Sequence, residues 1–333
     1  MLGFGNVNRT LVQLLVDREE ELHARGIGWR ITGVATRRLG WIADAGGLDL
    51  ALLRSERGIT ADDFPAPSSL STNVREWLQT ARADVLFEAT SLNVENGQPA
   101  VDHMRAALEH GAHAITANKG PIVYAYDELR QRAEQRGKRF LFESTVMDGV
   151  PIFSLFQENL PAIHLKSFRG ILNSTTNVIL AGMEDGLSFD AALKKAQEIG
   201  VAETDARHDI DGWDAAVKVA ALVTVLMGEK IGLSDVQREG IVKLTGEQVR
   251  VARAEGIPYK LVCSARRTDA GVVARVAPER LPLSDPLAWV AGTSSIVYFE
   301  TDIFRGLCIT EVNPGLYATA YGMLADFIRA VGN

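Results

Sequence analysis

The feature that most restricts the fold is an alternation of apolar strand-like runs and helix-periodic runs across the first 145 residues. In VNRTLVQLLVDREEELHAR (7–25), Val7, Leu11, Leu14 and Leu15 recur at helical spacing and share one side. WRITGVATR (29–37) reads as a strand, and ADVLFEAT (83–90) as a buried one. A helix through PAVDHMRAALEHG (99–111) stops at Gly111; HAITAN (113–118) is the next strand. YDELRQRAEQRG (126–137) and RFLFEST (139–145) repeat the pair, helix then strand. Strands separated by helices run parallel, with the returning helices covering both faces of the sheet. The expected class is α/β, a doubly wound parallel sheet of Rossmann-like type.

Past residue 150 the rhythm changes. Helices dominate from 173 to 228, including FDAALKKAQEIG (189–200). Strand pairs follow: YKLVCSARRT (259–268) with GVVARVAP (271–278), and SSIVYFETD (294–302) with LCITEV (307–312). This predicts a second, α+β domain with an antiparallel or mixed sheet backed by helices. The expected boundaries are 1–145 and 146–312, with the C-terminal helix, within 313–333, packing back on the first domain. A length of 333 residues suffices for two cores.

Charge narrows the partners. The net charge is −7 and no basic run occurs, which argues against nucleic acid and anionic membranes as ligands. The longest apolar tract, AAVKVAALVTVLMG (215–228), contains Lys218 and falls short of the roughly 20 residues a membrane span needs. Cys263 and Cys308 stand far apart without metal-ligand spacing, as buried thiols of a reducing compartment would. No signal-peptide pattern opens the chain, so a cytoplasmic location is expected.

Three stretches carry chemistry. The opening MLGFGNVNRT contains Gly3-x-Gly5-x-x-Asn8, an incomplete dinucleotide fingerprint. Its glycines allow a tight turn and close approach of backbone N–H groups to a pyrophosphate, with Asn6 and Val7 opening the helix behind them. Asn8 replaces the third glycine and is expected to loosen helix–strand packing. The second strand ends in Thr36-Arg37-Arg38 with no carboxylate, which reads either as a solvated basic loop or as a partner for a 2′-phosphate. In ITANKGP (115–121), Lys119 leaves an apolar strand at its C-terminal end, where parallel sheets bind ligands, although most lysines are solvated surface charges. VAETDARHDIDGWDAAVKVAA (201–221) is the densest stretch, with Glu203, Asp205, Asp209, Asp211 and Asp214 beside His208 and Lys218. Such acids can serve a helix dipole, and Asp214 with Lys218 can form a plain i,i+4 pair. A nearly apolar helix carrying charges is equally a cleft that binds a charged ligand. No strong metal-ligand spacing occurs.

Together GFGNVNR, FEAT, TANKGP, GILNSTTNVIL (170–180) and AQEIGVAETDARHDIDGWDAAVKVAAL (196–222) resemble the homoserine dehydrogenase family over essentially the whole chain. The resemblance implies NAD(P)-dependent interconversion of L-homoserine and L-aspartate 4-semialdehyde, a step of threonine and methionine biosynthesis. It implies NADP, or NAD, as cofactor and a homodimer built through the second domain. The family's paired lysines fall on Lys119 and Lys218, and its catalytic carboxylates on Glu203 and Asp214. Thr176 and Asp209, with Glu203 and Lys218, fall where substrate is held. The cofactor set is Gly3, Gly5, Asn6, Val7, Arg37, Arg38, Thr90 and Gly315. A monovalent cation is a further implication, beside Glu143 and Val146. The family's C-terminal regulatory domain has no counterpart after YATAYGMLADFI (317–328).

The chain departs from the family pattern near the expected ligands. Ser174 stands where glycine is usual and is expected to meet a demanding backbone geometry. Val201 stands in place of a common Tyr, and Met147-Asp148 in place of small residues. These departures keep another amino-acid-derived semialdehyde or hydroxy acid open as substrate. They also leave room for a catalytically weak homologue with impaired cofactor binding. The first strand is short: only Met1 and Leu2 precede the turn, where strands average about five or six residues. Unpaired neighbours at the centre of a sheet cost about 1–3 kcal/mol per buried group. The expectation is that apolar residues placed upstream would raise stability and cofactor affinity together.

Overall fold

The computed structural model describes residues 1–55, 58–64, 71 and 73–332. The backbone divides into two units, Met1–Phe153 with the stretch from Gly315 onward, and Ser154–Pro314.

The first unit contains α1 (Asn6–Asp17), α2 (Glu19–Ala24), β1 (Gly33–Thr36), β2 (Gly40–Ala43), α3 (Leu50–Leu53) and α4 (Val74–Ala81). It continues with β3 (Val85–Glu88), α5 (Ala100–His110), β4 (His113–Thr116), α6 (Gly120–Gln135) and β5 (Phe140–Leu141). β3, β4 and β5 lie side by side and parallel, while β1 and β2 form an antiparallel hairpin. The two sheets meet at Leu2, which bridges in parallel to Ala35 of β1 and to Glu88 of β3. Leu2 N donates to Phe87 O (2.7 Å), Ala89 N to Leu2 O (2.9 Å), and Gly3 N to Ala35 O (2.9 Å). Two residues thus occupy the central strand position. The Met1 amine donates to Gly33 O at 2.7 Å, and burial pushes its pKa down to about 5. Beyond it a cavity of about 590 Å³ opens between residues 28–33 and 83–85, floored by Leu15, Trp77 and Phe327. It lies at the opposite end of these strands from the glycine turn.

Burial runs continuously along the strands because both faces are covered. Phe87 and Ile115 join Leu11 and Leu15 of α1 in one apolar cluster, while Leu86 and Ala114 are buried in alternation with them. On helix boundaries the structure differs from the sequence reading. The 7–25 helix breaks at Arg18 into α1 and α2. α6 starts at Gly120 rather than 126, with Pro121 in its first turn, a position that needs no N–H partner. Of 139–145 only Phe140–Leu141 is strand, followed by a 3₁₀ turn at Glu143–Thr145.

The second unit has β6 (Leu165–Ile171), α7 (Ser174–Glu184), α8 (Phe189–Glu198), α9 (Arg207–Ile210) and α10 (Trp213–Leu222). Then come β7 (Gln237–Arg238), α11 (Gly246–Ala254), β8 (Tyr259–Thr268), β9 (Gly271–Arg280), β10 (Ser295–Thr301) and β11 (Leu307–Glu311). The sheet order is β11-β10-β6-β8-β9-β7, antiparallel except for β7 with β9. β6 joins the two predicted hairpins and was not foreseen. Its LKSFRGI carries Lys166, Arg169 and Gly170, and a Cβ at Gly170 would sit 2.7 Å from Ile296 O. Buried Lys260 of β8 anchors α7, donating to Asn177 Oδ1 (2.9 Å) and to Val290 O (2.6 Å). The chain closes in the first unit with α12 (Leu316–Val331), whose Met323, Leu324 and Phe327 share the α1 cluster. Phe327 and Phe87 rings meet at 5.7 Å. Among the described residues no helix is long and apolar enough to cross a membrane.

Candidate active site

In the first unit the candidate residues gather at the C-terminal ends of the parallel strands. Gly3 takes φ +74°, and a Cβ there would lie 2.5 Å from Ala89 O, so the turn needs glycine for both angle and space. Gly5 caps α1 in extended conformation with no side-chain cap bond, and a Cβ built on it meets nothing within 4 Å. An uncapped N-terminus of a 12-residue helix opening onto free space fits a pyrophosphate. Asn8 does not loosen this turn. It is fully buried, and its Nδ2 donates to Gly3 O (2.7 Å) and Leu2 O (3.2 Å), closing the loop through its side chain. Arg37 and Arg38 are exposed beyond β1, with Thr36 Oγ1 accepting from Arg38 N (3.3 Å). Gly315 caps α12 and also faces open space.

The next two strand ends are tied together by polar groups. Glu88 ends β3 fully buried, and burial pushes its pKa up. Its Oε1 accepts from Thr90 N (2.8 Å) and from the Thr90 hydroxyl, and its Oε2 from Thr116 Oγ1 (2.6 Å). Asn118 N donates to Thr116 Oγ1 (2.9 Å), and Asn118 Nδ2 to Thr90 O (3.1 Å). Half-buried Lys119 follows as the N-cap of α6, on a turn whose Gly120 N donates to Asn118 Oδ1 (2.8 Å).

Glu143 and Val146 are buried, but the Glu143 carboxylate is engaged within the unit. Oε1 accepts from Phe153 N (2.6 Å), and Oε2 lies 3.5 Å from Arg329 Nη1. Met147 and Asp148 hold φ +54° and +52°, the left-handed region where a Cβ costs energy. Asp148 Oδ1 accepts from Thr319 Oγ1 at 2.5 Å. Among the described residues no three His, Cys, Asp or Glu side chains form a metal-binding group.

In the second unit the acidic stretch folds into a compact charged cluster. α10 sets Asp214 and Lys218 one turn apart, Oδ2 to Nζ 2.9 Å, with side chains 22% and 18% exposed. Lys218 Nζ also donates to Leu172 O (2.6 Å). Asn173 Nδ2 donates to Asp209 Oδ1 (2.7 Å) and to Asp214 Oδ2 (3.1 Å), while its Oδ1 caps α7 by accepting from Thr176 N (2.9 Å). One asparagine therefore joins α7, α9 and α10. Thr176 is 1% exposed, and its hydroxyl donates to Asn173 O (3.1 Å). Glu203 sits in an exposed loop whose carbonyl accepts from Gln197 Nε2 (3.1 Å). The bonds among Asn173, Asp209, Asp214 and Lys218 do not include its carboxylate. Asp205 is exposed and paired with Arg207. Ser174 opens α7 in ordinary helical conformation, so the demanding geometry expected there does not arise. Asn173 was legible only as part of a signature. An amide that reads both carboxylates shows no periodicity or charge of its own.

A nucleotide-fitting helix start on a parallel sheet, with a lysine and two carboxylates clustered on a separate unit, defines an NAD(P)-dependent oxidoreductase. Comparison with known proteins agrees. Residues 3–143 match the NAD-binding domain of homoserine dehydrogenase, and residues 151–328 the homoserine dehydrogenase domain itself. An NAD(+)-dependent homoserine dehydrogenase of Pseudomonas canavaninivorans is 34% identical over 99% of this chain and 94% of its own. A candidate homoserine dehydrogenase of Archaeoglobus fulgidus superposes with TM-score 0.86 at 31% identity, over 100% of this chain and 98% of that one. A mutant hyperthermophilic archaeal homoserine dehydrogenase in complex with NADPH gives 0.84 at 26%, over 99% and 95%. The chain belongs to the homoserine dehydrogenase family, and its reaction is the interconversion of L-homoserine and L-aspartate 4-semialdehyde.

Proposed function

We propose that the enzyme works with NADP in preference to NAD, using Lys119 for proton transfer and Lys218 to orient the substrate. The observation that carries this is the Asn173–Asp209–Asp214–Lys218 cluster, in which an ammonium and two carboxylates share one polar patch. Homoserine and its semialdehyde are zwitterions. Their ammonium is attracted by Asp209 and, from its exposed loop, by Glu203; their carboxylate is attracted by Lys218. Asp214 holds Lys218 on the helix face, and Asn173 holds Asp214. Thr176 contributes through the capped first turn of α7, and as a direct contact only if its hydroxyl leaves Asn173 O.

The nicotinamide cofactor, when bound, supplies or takes the hydride. Gly3, Gly5, Asn6 and Val7 would cradle its pyrophosphate, with Thr90 and Gly315 beside it. Lys119 stands at the end of β4, where its ammonium can stabilise the alkoxide and give it a proton, and where its neutral amine can take the alcohol proton in the reverse direction. Arg37 and Arg38, with no carboxylate beside them, favour a 2′-phosphate. The Pseudomonas relative's NAD(+) dependence supports the opposite preference. Measured kcat/KM with each cofactor decides between them, and replacing both arginines by Ala should erase an NADP preference. A monovalent cation enters this reading only through the backbone carbonyls of Glu143 and Val146, because the glutamate side chain is engaged elsewhere. Activity independent of K⁺ and Na⁺ would remove it. A homodimer is part of the proposal, and sedimentation or light scattering tests it.

Lys119→Ala should cut turnover at least a hundredfold while leaving the fold intact. Near-normal turnover would remove this lysine from the mechanism. Turnover of a related amino-acid-derived alcohol, with none of homoserine, would redirect the substrate assignment that Val201 and Asp148 leave open.

A further inference from the structure

We propose that Glu88 is a positioning residue whose two carboxylate oxygens lock the Lys119 turn to the Thr90 loop. The proposal rests on the role given above to Lys119.

Glu88 is the last residue of β3 and is fully buried, flanked on its strand by apolar Leu86 and Phe87. Burying a carboxylate is costly, and an apolar residue would serve packing better. Among the described residues every bond to this carboxylate comes from a neutral donor: Thr90 N, Thr90 Oγ1 and Thr116 Oγ1. The division between its oxygens is the informative part. Oε1 serves only the loop after β3, and Oε2 only the end of β4. Thr116 Oγ1 then accepts from Asn118 N, one residue before Lys119, and Asn118 Nδ2 returns to Thr90 O. The circuit Glu88–Thr116–Asn118–Thr90 closes on itself across two adjacent strand ends. Separation of those ends, or rotation of the 117–119 turn, would leave a fully buried carboxylate short of donors. The backbone that carries Lys119 is thereby set relative to the loop that carries Thr90, and catalytic groups must be held within about 1 Å. Desolvation, which raises the acid's pKa, makes the loss of each donor more costly.

The two arms predict separable effects. In T116V the shape is kept while the hydroxyl that bridges Glu88 and Asn118 is lost. Its kcat with homoserine should fall about tenfold, with cofactor affinity, read by fluorescence titration, changed less than threefold. E88M, which keeps the size and removes both arms, should lower kcat and also weaken cofactor binding more than threefold. In a Lys119→Ala background, T116V should add less than twofold, because the turn then has nothing to position. An unchanged kcat in T116V with only a lowered melting temperature would overturn the proposal and leave Glu88 a structural strut. A tenfold loss that persists in the Lys119→Ala background would also overturn it. If E88M does not fold, T116V and the double variant decide. Should Lys119→Ala itself retain normal turnover, the role of Lys119 fails first, and that result is distinguishable from the others.

Discussion

Two charged clusters in this protein are built from the same parts and do different work. In the second unit Lys218, Asp214 and Asp209 meet around Asn173, with the side chains of the ion pair about one-fifth exposed. In the first unit Arg329, Asp326 and Glu143 meet where α12 crosses the Glu143–Thr145 turn. There the carboxylates are closed off: Asp326 accepts from Glu143 N (2.8 Å) and Arg329 Nη1 (2.9 Å), and its pKa is pushed up to about 7 by burial. Gly149 and Gly322 let the helix backbone press directly onto the 144–149 segment. The ion pair of the first cluster keeps about a fifth of its side-chain surface, whereas the carboxylates of the second are almost fully buried. Burial alone does not mark a functional site.

The sharpest way to break this contrast is to remove Arg329, the cation of the closed cluster. Arg329→Met leaves two buried carboxylates facing each other and should cost about 3–5 kcal/mol of stability, measured by urea unfolding, with kcat per folded molecule little changed. The open cluster should respond the other way. Lys218→Ala should lower kcat/KM at least a hundredfold, about 2.7 kcal/mol, with a melting temperature close to that of the parent protein. An equal loss of stability in both variants would erase the distinction.

The titration of Asp326 sharpens it further. Its folded pKa, about 7, lies above the usual carboxylate value of 3.8, so between those limits the folded state holds a proton that the unfolded state gives up. The stability this group contributes is full below pH 3.8 and is lost as pH rises to 7. Asp326→Asn should therefore flatten the stability–pH slope in that window, by at most about 1.4 kcal/mol per pH unit. The smallest effect concerns the cavity beside Met1. Four to six apolar residues joined to the N-terminus should fill part of its roughly 590 Å³, raise the melting temperature by about 2–4 °C and tighten cofactor binding. A Gly/Ser extension of equal length should do neither.

Legibility in the sequence followed locality. β8 spans the predicted 259–268, and α5 ends at Gly111, in left-handed conformation, because alternation and glycine stops act within a few residues. β2 and β6 were missed because short strands with glycine or charge show little alternation until partners bury one face. Asp209, Asp214 and Lys218 stood out as charges in an apolar context. Asn173, Asn8 and Glu88 acquire their roles only from groups brought close by folding: Asn173 reaches Asp209 from 36 positions away, and Glu88 meets Thr116 from 28.

By itself the sequence determined the family, the parallel strands of the first unit and the charged residues available for chemistry, because local pattern and residue type carry that information. Tertiary structure alone decided which charges stay partly exposed and which are closed over. Asp214 and Asp326 are the same side chain on the same kind of helix, and their difference is the distance at which the rest of the chain closes over them.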